Sequence, residues 1–353
     1  MTPRERLYAV LRGERPDQIP FVAFYNKIPR CEVERQLRNE GLCIINKISV
    51  WSETYAEGVR EEVLRYRGED GAWRERTTVS TSAGDISKVD RPAPGTVWHE
   101  KLWFEGPQDY RAIECMIRNR VYTPKYRAYQ DAVAGDGGDI VERVRLGWSP
   151  LQEILYEMIG VERFAYEWAD HRPQVMGLYE ALADDFEKRC QVAADSPAVS
   201  VVCDGNVSPE VLGRPRFEDY VLPHWDRCAD LLHERGKFVG AHLDAKHGPL
   251  AGPIGRSRLD FIESFTPPPE GDLSLREARR LWPDKVILMN FPSSLHHWGA
   301  QAVEEAATDF IRQSAPGDRF MLGVFEDVPG DWRQTVPAIG RAISKHGQLP
   351  VDP

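Results

Sequence analysis

The sequence predicts an α/β fold, a TIM-type (β/α)8 barrel, on three observations. Eight short apolar runs of strand length punctuate the chain, and amphipathic helical stretches lie between them. That alternation selects a parallel sheet covered by helices, and eight strands close a barrel. The rival doubly wound sheet lacks support, because no Gly-x-Gly-x-x-Gly follows the first run.

The runs are Ile19 to Tyr25, Leu42 to Ile45, Ile140 to Leu146, Ala198 to Cys203, Lys237 to His242, Leu259 to Ile262, Lys285 to Met289 and Arg319 to Val324. Between them, Asp170 to Ala193 carries Val175, Leu178, Leu182 and Phe186 on one helical face. Phe217 to Glu234 reads as a helix broken at Pro223 and stopped by Gly236. The long stretch from Ile45 to Ile140 interrupts the pattern. Its centre, Trp73 to Phe104, alternates apolar and polar residues around turns at Ser82-Ala83-Gly84-Asp85 and Pro92-Ala93-Pro94-Gly95, and predicts a β-hairpin insertion between strands 2 and 3. Residues 1–353 thus read as one barrel domain with an insertion over 61–125. Thr266 to Asp272, rich in proline, reads as a stiff loop after the sixth strand.

The 353 residues carry a net charge of −10, 42% hydrophobic residues and a mean hydropathy of −0.47. Such a composition builds a large core and excludes disorder, collagen and a membrane-spanning fold. Without a basic block, nucleic acid is not an expected partner. Cys31, Cys43, Cys115, Cys190, Cys203 and Cys228 form no Cys-x-x-Cys, so reduced thiols in a cytoplasmic protein are expected, and no secretory signal core is present. A monomer or homodimer is expected.

Polar residues that end barrel strands converge on one mouth, where barrel enzymes place their sites. Here the strand ends supply Tyr25-Asn26-Lys27, Asn46-Lys47, Arg145 with Trp148, Asp204-Gly205-Asn206, His242-Leu243-Asp244, Glu263, Asn290 and Glu326-Asp327. In an extended segment His242 and Asp244 project to the same side and can reach one ion, with Glu326 the third candidate ligand. Nitrogen and oxygen donors of this kind suit zinc, iron or manganese. The bland alternative is a His–Asp pair that orients a general base. Asp204 is a further catalytic candidate, beside a glycine that admits a close backbone approach, or else the start of an Asx turn. Tyr25, Asn26, Arg145, Trp148, Asn290 and Phe265 are candidates for substrate binding. His296-His297 reads as exposed loop, and Cys203 as a buried strand residue. Nucleophile-elbow, phosphate-loop and His-Glu-x-x-His motifs are absent.

Several segments together carry a resemblance. Thr2-Pro3-Arg4-Glu5-Arg6, with Leu11-x-Gly13-Glu14-x-Pro16-Asp17-x-Ile19-Pro20, resembles the opening of the uroporphyrinogen decarboxylase superfamily. Ser149-Pro150-Leu151-Gln152, Gly160-x-Glu162, Ser208-Pro209-Glu210, Tyr220-x-Leu222-Pro223 and His233-Glu234-x-Gly236-Lys237 leading to His242 resemble its cobamide-dependent methyltransferase branch. The resemblance spans nearly the whole chain and implies an α/β barrel.

Methyltransferases of that branch hold zinc with His-x-Cys and a later Cys, and the metal makes a substrate thiol a thiolate. Here the histidine matches His242, but Asp244 stands at the first cysteine and Gly323 to Pro329 contains no second one. Carboxylates in place of thiolates favour harder, oxygen-donor chemistry. The decarboxylase signature Arg-Gln-Ala-Gly-Arg is replaced by Tyr25-Asn26-Lys27-Ile28-Pro29-Arg30, which disfavours a polycarboxylate tetrapyrrole.

The expected function is a methyltransferase or demethylase acting on a small O- or N-methylated compound. A divalent metal, zinc first, is held by His242, Asp244 and Glu326, and a corrinoid carrier protein bearing cobalamin is the methyl acceptor. The alternative is a cofactor-independent decarboxylase of a small acid, with Asp204 and His242 handling protons and Lys27 or Arg145 holding the carboxylate. A third reading is a ligand-binding barrel without turnover.

Overall fold

The structure, a computed structural model, describes all residues except Pro94, Gly95, Asn206 and Pro353. The second predicted turn of the insertion and the Asn206 strand end therefore lie, in part or whole, outside the described residues. In chain order the strands are β1 (Phe21–Phe24), β2 (Leu42–Ile48), β3 (Trp51–Tyr55), β4 (Arg60–Arg67), β5 (Trp73–Thr81), β6 (Gly84–Ala93), β7 (Thr96–Lys101), β8 (Arg120–Pro124), β9 (Ile140–Gly147), β10 (Ser200–Cys203), β11 (Phe238–His242), β12 (Phe261–Phe265), β13 (Val286–Asn290) and β14 (Phe320–Val324). Two compact units are present. Met1–Val50, Tyr126–Gly147 and Ala193–Pro353 form one, and Trp51–Lys125 with Trp148–Val192 the other.

The first unit contains a closed parallel barrel in the order β1-β14-β13-β12-β11-β10-β9-β2. All eight predicted runs are barrel strands, because a strand covered on both faces must be apolar throughout and so stands out from its flanks. β1, β10, β12, β13 and β14 are buried along their whole length. Inside the barrel, Val22, Phe24, Cys43, Ile45, Val141, Val202, Phe261, Leu288 and Met321 pack with Leu7, Val10 and Leu11 of the first helix, Pro3–Leu11. Each such side chain contributes roughly 1.5–3 kcal/mol by leaving water. Gly240 makes room for Phe261, whose ring would lie 2.2 Å from any Cβ at that position.

Two residues further along these same inward rows, the lining turns polar: Lys47 follows Ile45, Arg143 follows Val141, Asp204 follows Val202, Glu263 follows Phe261 and Asn290 follows Leu288. The period of two that fills the barrel thus also aims its mouth.

The second unit carries the predicted hairpin as β5-β6, turned at Ser82 and Ala83, within an antiparallel sheet β4-β5-β6-β7. β3 and β8 form a separate antiparallel pair. A buried network ties this unit: Arg120 Nη1 donates to Glu153 at 2.7 Å, Arg189 Nη2 donates to Glu153 at 2.9 Å, and Tyr122 Oη donates to Asp185 at 2.8 Å. The helix expected over Asp170–Ala193 runs from Arg172 to Asp195, and the expected break near Pro223 separates Arg214–Tyr220 from Leu222–His233. Among the described residues no helix is long and apolar enough to cross a membrane.

Candidate metal centre

His242 ends β11, and its imidazole is stacked on Phe24 with ring centres 5.9 Å apart. Nδ1 lies 3.2 Å from Glu263 Oε1 and 3.5 Å from Lys47 Nζ. With Nδ1–H donated to Glu263, Nε2 is the nitrogen presented to Asp244 and Glu326. Its distances to Asp244 Oδ2 and Glu326 Oε1 are 3.7 and 3.4 Å. One donor atom from each of the three residues lies within 4.8 Å of the others. Donors held tetrahedrally at about 2.0–2.2 Å from one ion stand roughly 3.3–3.6 Å apart, so a small side-chain adjustment makes this set compatible with a divalent cation.

The electrostatics agree with that fit. Burial, the largest influence on His242, pushes its pKa down, yet hydrogen bonds to Asp244, Glu263 and Glu326 hold it well above the ordinary histidine value. Positive charge at this imidazole, whether proton or metal, is what the surroundings stabilise. Glu263 is fully buried and bound by Lys47 at 2.6 Å and by Arg143 at 2.5 Å. Burial pushes its carboxyl up, and the opposing effects of Lys47, His242 and Arg143 prevail and keep it ionised. Lys47 also sits 4.1 Å over the Phe24 ring.

Two backbone features aim these side chains. The β12–β13 register shifts between Glu263 and Phe265, and Ser264 adopts φ 66. A non-glycine residue in the left-handed region costs of order 1–3 kcal/mol. The shift turns Ser264 Oγ to donate to Glu326 Oε1 at 2.8 Å. Glu326 is further placed by Asn290, whose Oδ1 accepts from the Phe325 and Glu326 amides at 2.9 and 3.2 Å while its Nδ2 donates to Thr266 at 3.3 Å. Asn290, expected to meet substrate, is thus bonded within the protein.

Gly205 is needed at the centre itself. A Cβ there would lie 1.4 Å from the carbonyl oxygen of His242, so the close approach that this glycine permits is by the β11 backbone. Gly205→Ala is expected to destabilise the protein by about 2–4 kcal/mol and to weaken whatever His242 binds, since one chain segment must move. Urea denaturation checks the first effect and ligand titration the second.

The other expected residues are dispersed. Asp204 and Arg145 pair with each other, Nε lying 2.8 Å from both carboxylate oxygens. Tyr25 and Asn26 are exposed beyond β1, with Arg30 over the Tyr25 ring at 4.7 Å. Lys27 is joined to Asp327 at 2.9 Å. Phe265 is buried edge-on against Trp282, within the core. Trp148 belongs to the second unit, where its indole donates to Glu157 at 3.0 Å and lies beside Tyr156. Cys203 is buried, as expected. Arg143 and Ser264 escaped the sequence reading. An inward arginine two residues beyond Val141 demands a buried anion and was legible on that ground, whereas no sequence signal marks the bulge at Ser264.

His296 corrects an expectation. The sequence predicts an exposed loop for the histidine pair, but His296 is fully buried in the Ser293–Trp298 turn and of the two only His297 is exposed. Its Nδ1 lies 2.7 Å from Thr335 Oγ1, and Nε2 has no hydrogen-bond partner among the described residues. Burial pushes its pKa down to about 4 from 6.5. The unfolded chain therefore takes up a proton below 6.5 that the folded one refuses until about 4. Stability contributed by neutral His296 is fully present above 6.5 and falls by up to about 3 kcal/mol as pH drops towards 4. His296→Asn is expected to flatten this part of the pH–stability curve, read by denaturation at pH 7 and 5.

No protein family and no curated protein matches this chain in sequence. Among solved structures it is similar to a methyltransferase from Methanosarcina mazei, with a TM-score of 0.59 and 11% identity over 98% of this chain and 99% of that one. A GH18 chitinase, ChiB, from Flavobacterium johnsoniae has a TM-score of 0.34 at 11% identity, covering 65% of this chain and 82% of its own. The pneumococcal virulence factor StrH has a TM-score of 0.39 at 10% identity, covering 95% and 86%. Over its whole length the chain has the fold of the Methanosarcina methyltransferase, the α/β barrel that the resemblance to the uroporphyrinogen decarboxylase superfamily implies.

Proposed function

We propose that this protein is a metal-dependent methyltransferase that takes the methyl group from a small O- or N-methylated compound and passes it to a corrinoid carrier. The observation that carries the reading is the His242–Asp244–Glu326 cluster, which occupies strand ends of a barrel shared with a methyltransferase. Those three residues hold the divalent cation, which when bound supplies Lewis acidity to a substrate heteroatom. The methyl–heteroatom bond breaks with its electron pair left on the heteroatom, and the methyl group goes to the reduced corrinoid. Glu263 fixes the His242 ring and Ser264 the Glu326 carboxylate, so the ligands reach the cation already oriented.

The test uses protein purified without a nickel column, incubated with cob(I)alamin and a panel of aryl methyl ethers and methylated amines. The expected result is methylcobalamin formation, followed by its absorbance, that is abolished by chelator and restored by added metal. Carbon dioxide released from simple carboxylic acids without methyl transfer would instead establish the decarboxylase alternative.

A further inference from the structure

β4 is the edge strand of the sheet β4-β5-β6-β7, and among the described residues it pairs only with β5. Its residues are exposed on both faces, with Val63 at 46% and Leu64 at 55%. Alternate residues of an edge strand turn their N–H and C=O groups away from the sheet. Proteins ordinarily blunt such an edge with charged side chains, Lys above all, with Pro, with a bulge or with a covering element, and charge repels another edge only where like signs meet. The segment Arg60-Glu61-Glu62-Val63-Leu64-Arg65-Tyr66-Arg67 contains no Lys or Pro, and the register shift of this sheet lies on β6, between Val89 and Asp90.

The order of charges along the strand names its partner. Beyond Arg60, Glu61 and Glu62 precede the Val63-Leu64 centre and Arg65 and Arg67 follow it, so an antiparallel copy of the same strand can oppose unlike charges. Opposed residues of an antiparallel pair share a face, which restricts a two-fold axis normal to the sheet to registers that oppose residues an even number apart. With the axis at Val63, Glu61 faces Arg65 of the second copy, Arg60 faces Tyr66 and Glu62 faces Leu64, each twice by symmetry. No like charges oppose one another. Arg65 already bonds Glu75 of β5 at 2.7 Å, so Glu61 of the second copy completes a carboxylate–guanidinium–carboxylate row across the junction.

We infer that the protein forms a two-fold homodimer in which β4 pairs with β4 of a second copy, with Val63 on the axis. The two four-stranded sheets become one continuous sheet. Paired edges bury the free backbone groups, and the cross-strand ion pairs set the register.

Sedimentation velocity across about 1–100 µM tests this, a range that brackets micromolar association. The full-length protein is expected to dimerise, more weakly at high salt. Glu61→Arg and Arg65→Glu, each placing two repulsive pairs across the axis, are each expected to weaken dimerisation about tenfold or more. The double variant Glu61→Arg/Arg65→Glu, made with Glu75→Gln so that the new carboxylate at position 65 opposes no carboxylate on β5, restores the complementary pairs across the axis and is expected to recover the dimer. All four side chains involved are on the exposed edge, and unchanged thermal unfolding confirms that the fold is intact. A wild type that stays monomeric throughout, a dimer indifferent to Glu61→Arg, or a double variant that fails to recover would each overturn the proposal.

Discussion

Glu263→Gln is expected to lower stability by about 3–5 kcal/mol, the cost of leaving buried charge without its counter-ion. The substitution keeps the shape of the side chain and removes only the charge that faces three cationic groups: Arg143 at 2.5 Å, Lys47 at 2.6 Å and His242 at 3.2 Å. Arg143 cannot turn to water, because it is fully buried over the Phe261 ring and its Nη2 already has no hydrogen-bond partner among the described residues. The sign of the pH dependence follows from the direction of the Glu263 shift. Its carboxyl is held below its ordinary value of 4.5, so the stabilisation is complete above that value and is lost progressively as pH falls beneath it. At neutral pH the variant therefore shows the whole loss, and the gap between it and wild type narrows in strong acid. Urea denaturation at pH 7 and pH 3 reads both effects. Arg143→Met in the same chain is expected to return part of the stability, since an apolar side chain of similar length removes the stranded charge. A Glu263→Gln variant within 1 kcal/mol of wild type would show that the mouth is not held by this cluster.

The barrel was legible in the sequence because most barrel strands are buried on both sides, and a run such as Val286 to Met289 is then apolar with no competing pattern. β4 was not, since Arg60 to Arg67 is exposed on both faces and carries neither apolar alternation nor a helical period. At the site, the rule that inward polar residues gather at strand ends found His242, Asp244 and Glu326, and the structure brings those three together. The same rule could not tell Arg145 and Asp204 from free functional groups. Their pairing depends on the β9–β10 neighbourhood and its register shift at Val202–Cys203, which one strand read alone does not contain. His296 was misread for a related reason: adjacent histidines in an aperiodic loop look alike until Thr335, far along the chain, takes one of them into the core.

Wild-type protein is expected to bind one divalent ion per chain, and His242→Ala to weaken that binding at least roughly 100-fold. The ring lost is the only nitrogen donor of the set, and the two remaining carboxylates are then a bare acidic pair. Ser264→Ala removes only the hydrogen bond that aims Glu326, and an effect of about tenfold is expected, in the range for a residue that orients a ligand. Protons compete with the metal at His242, because Asp244, Glu263 and Glu326 stabilise the imidazolium too. Metal binding must then expel a proton at neutral pH, and affinity is expected to rise about tenfold per pH unit until the imidazolium has titrated. Calorimetry in buffers of different ionisation enthalpy reads the released proton directly. Asp244→Cys separates the chemistry of the ligand set from its geometry. A thiolate at that position supplies a sulfur donor where the methyltransferases that the sequence resembles have one, and is expected to raise preference for zinc over manganese, whereas a site tuned by shape alone would lose both ions together. Stoichiometric uptake that survives His242→Ala would move the metal away from this mouth altogether.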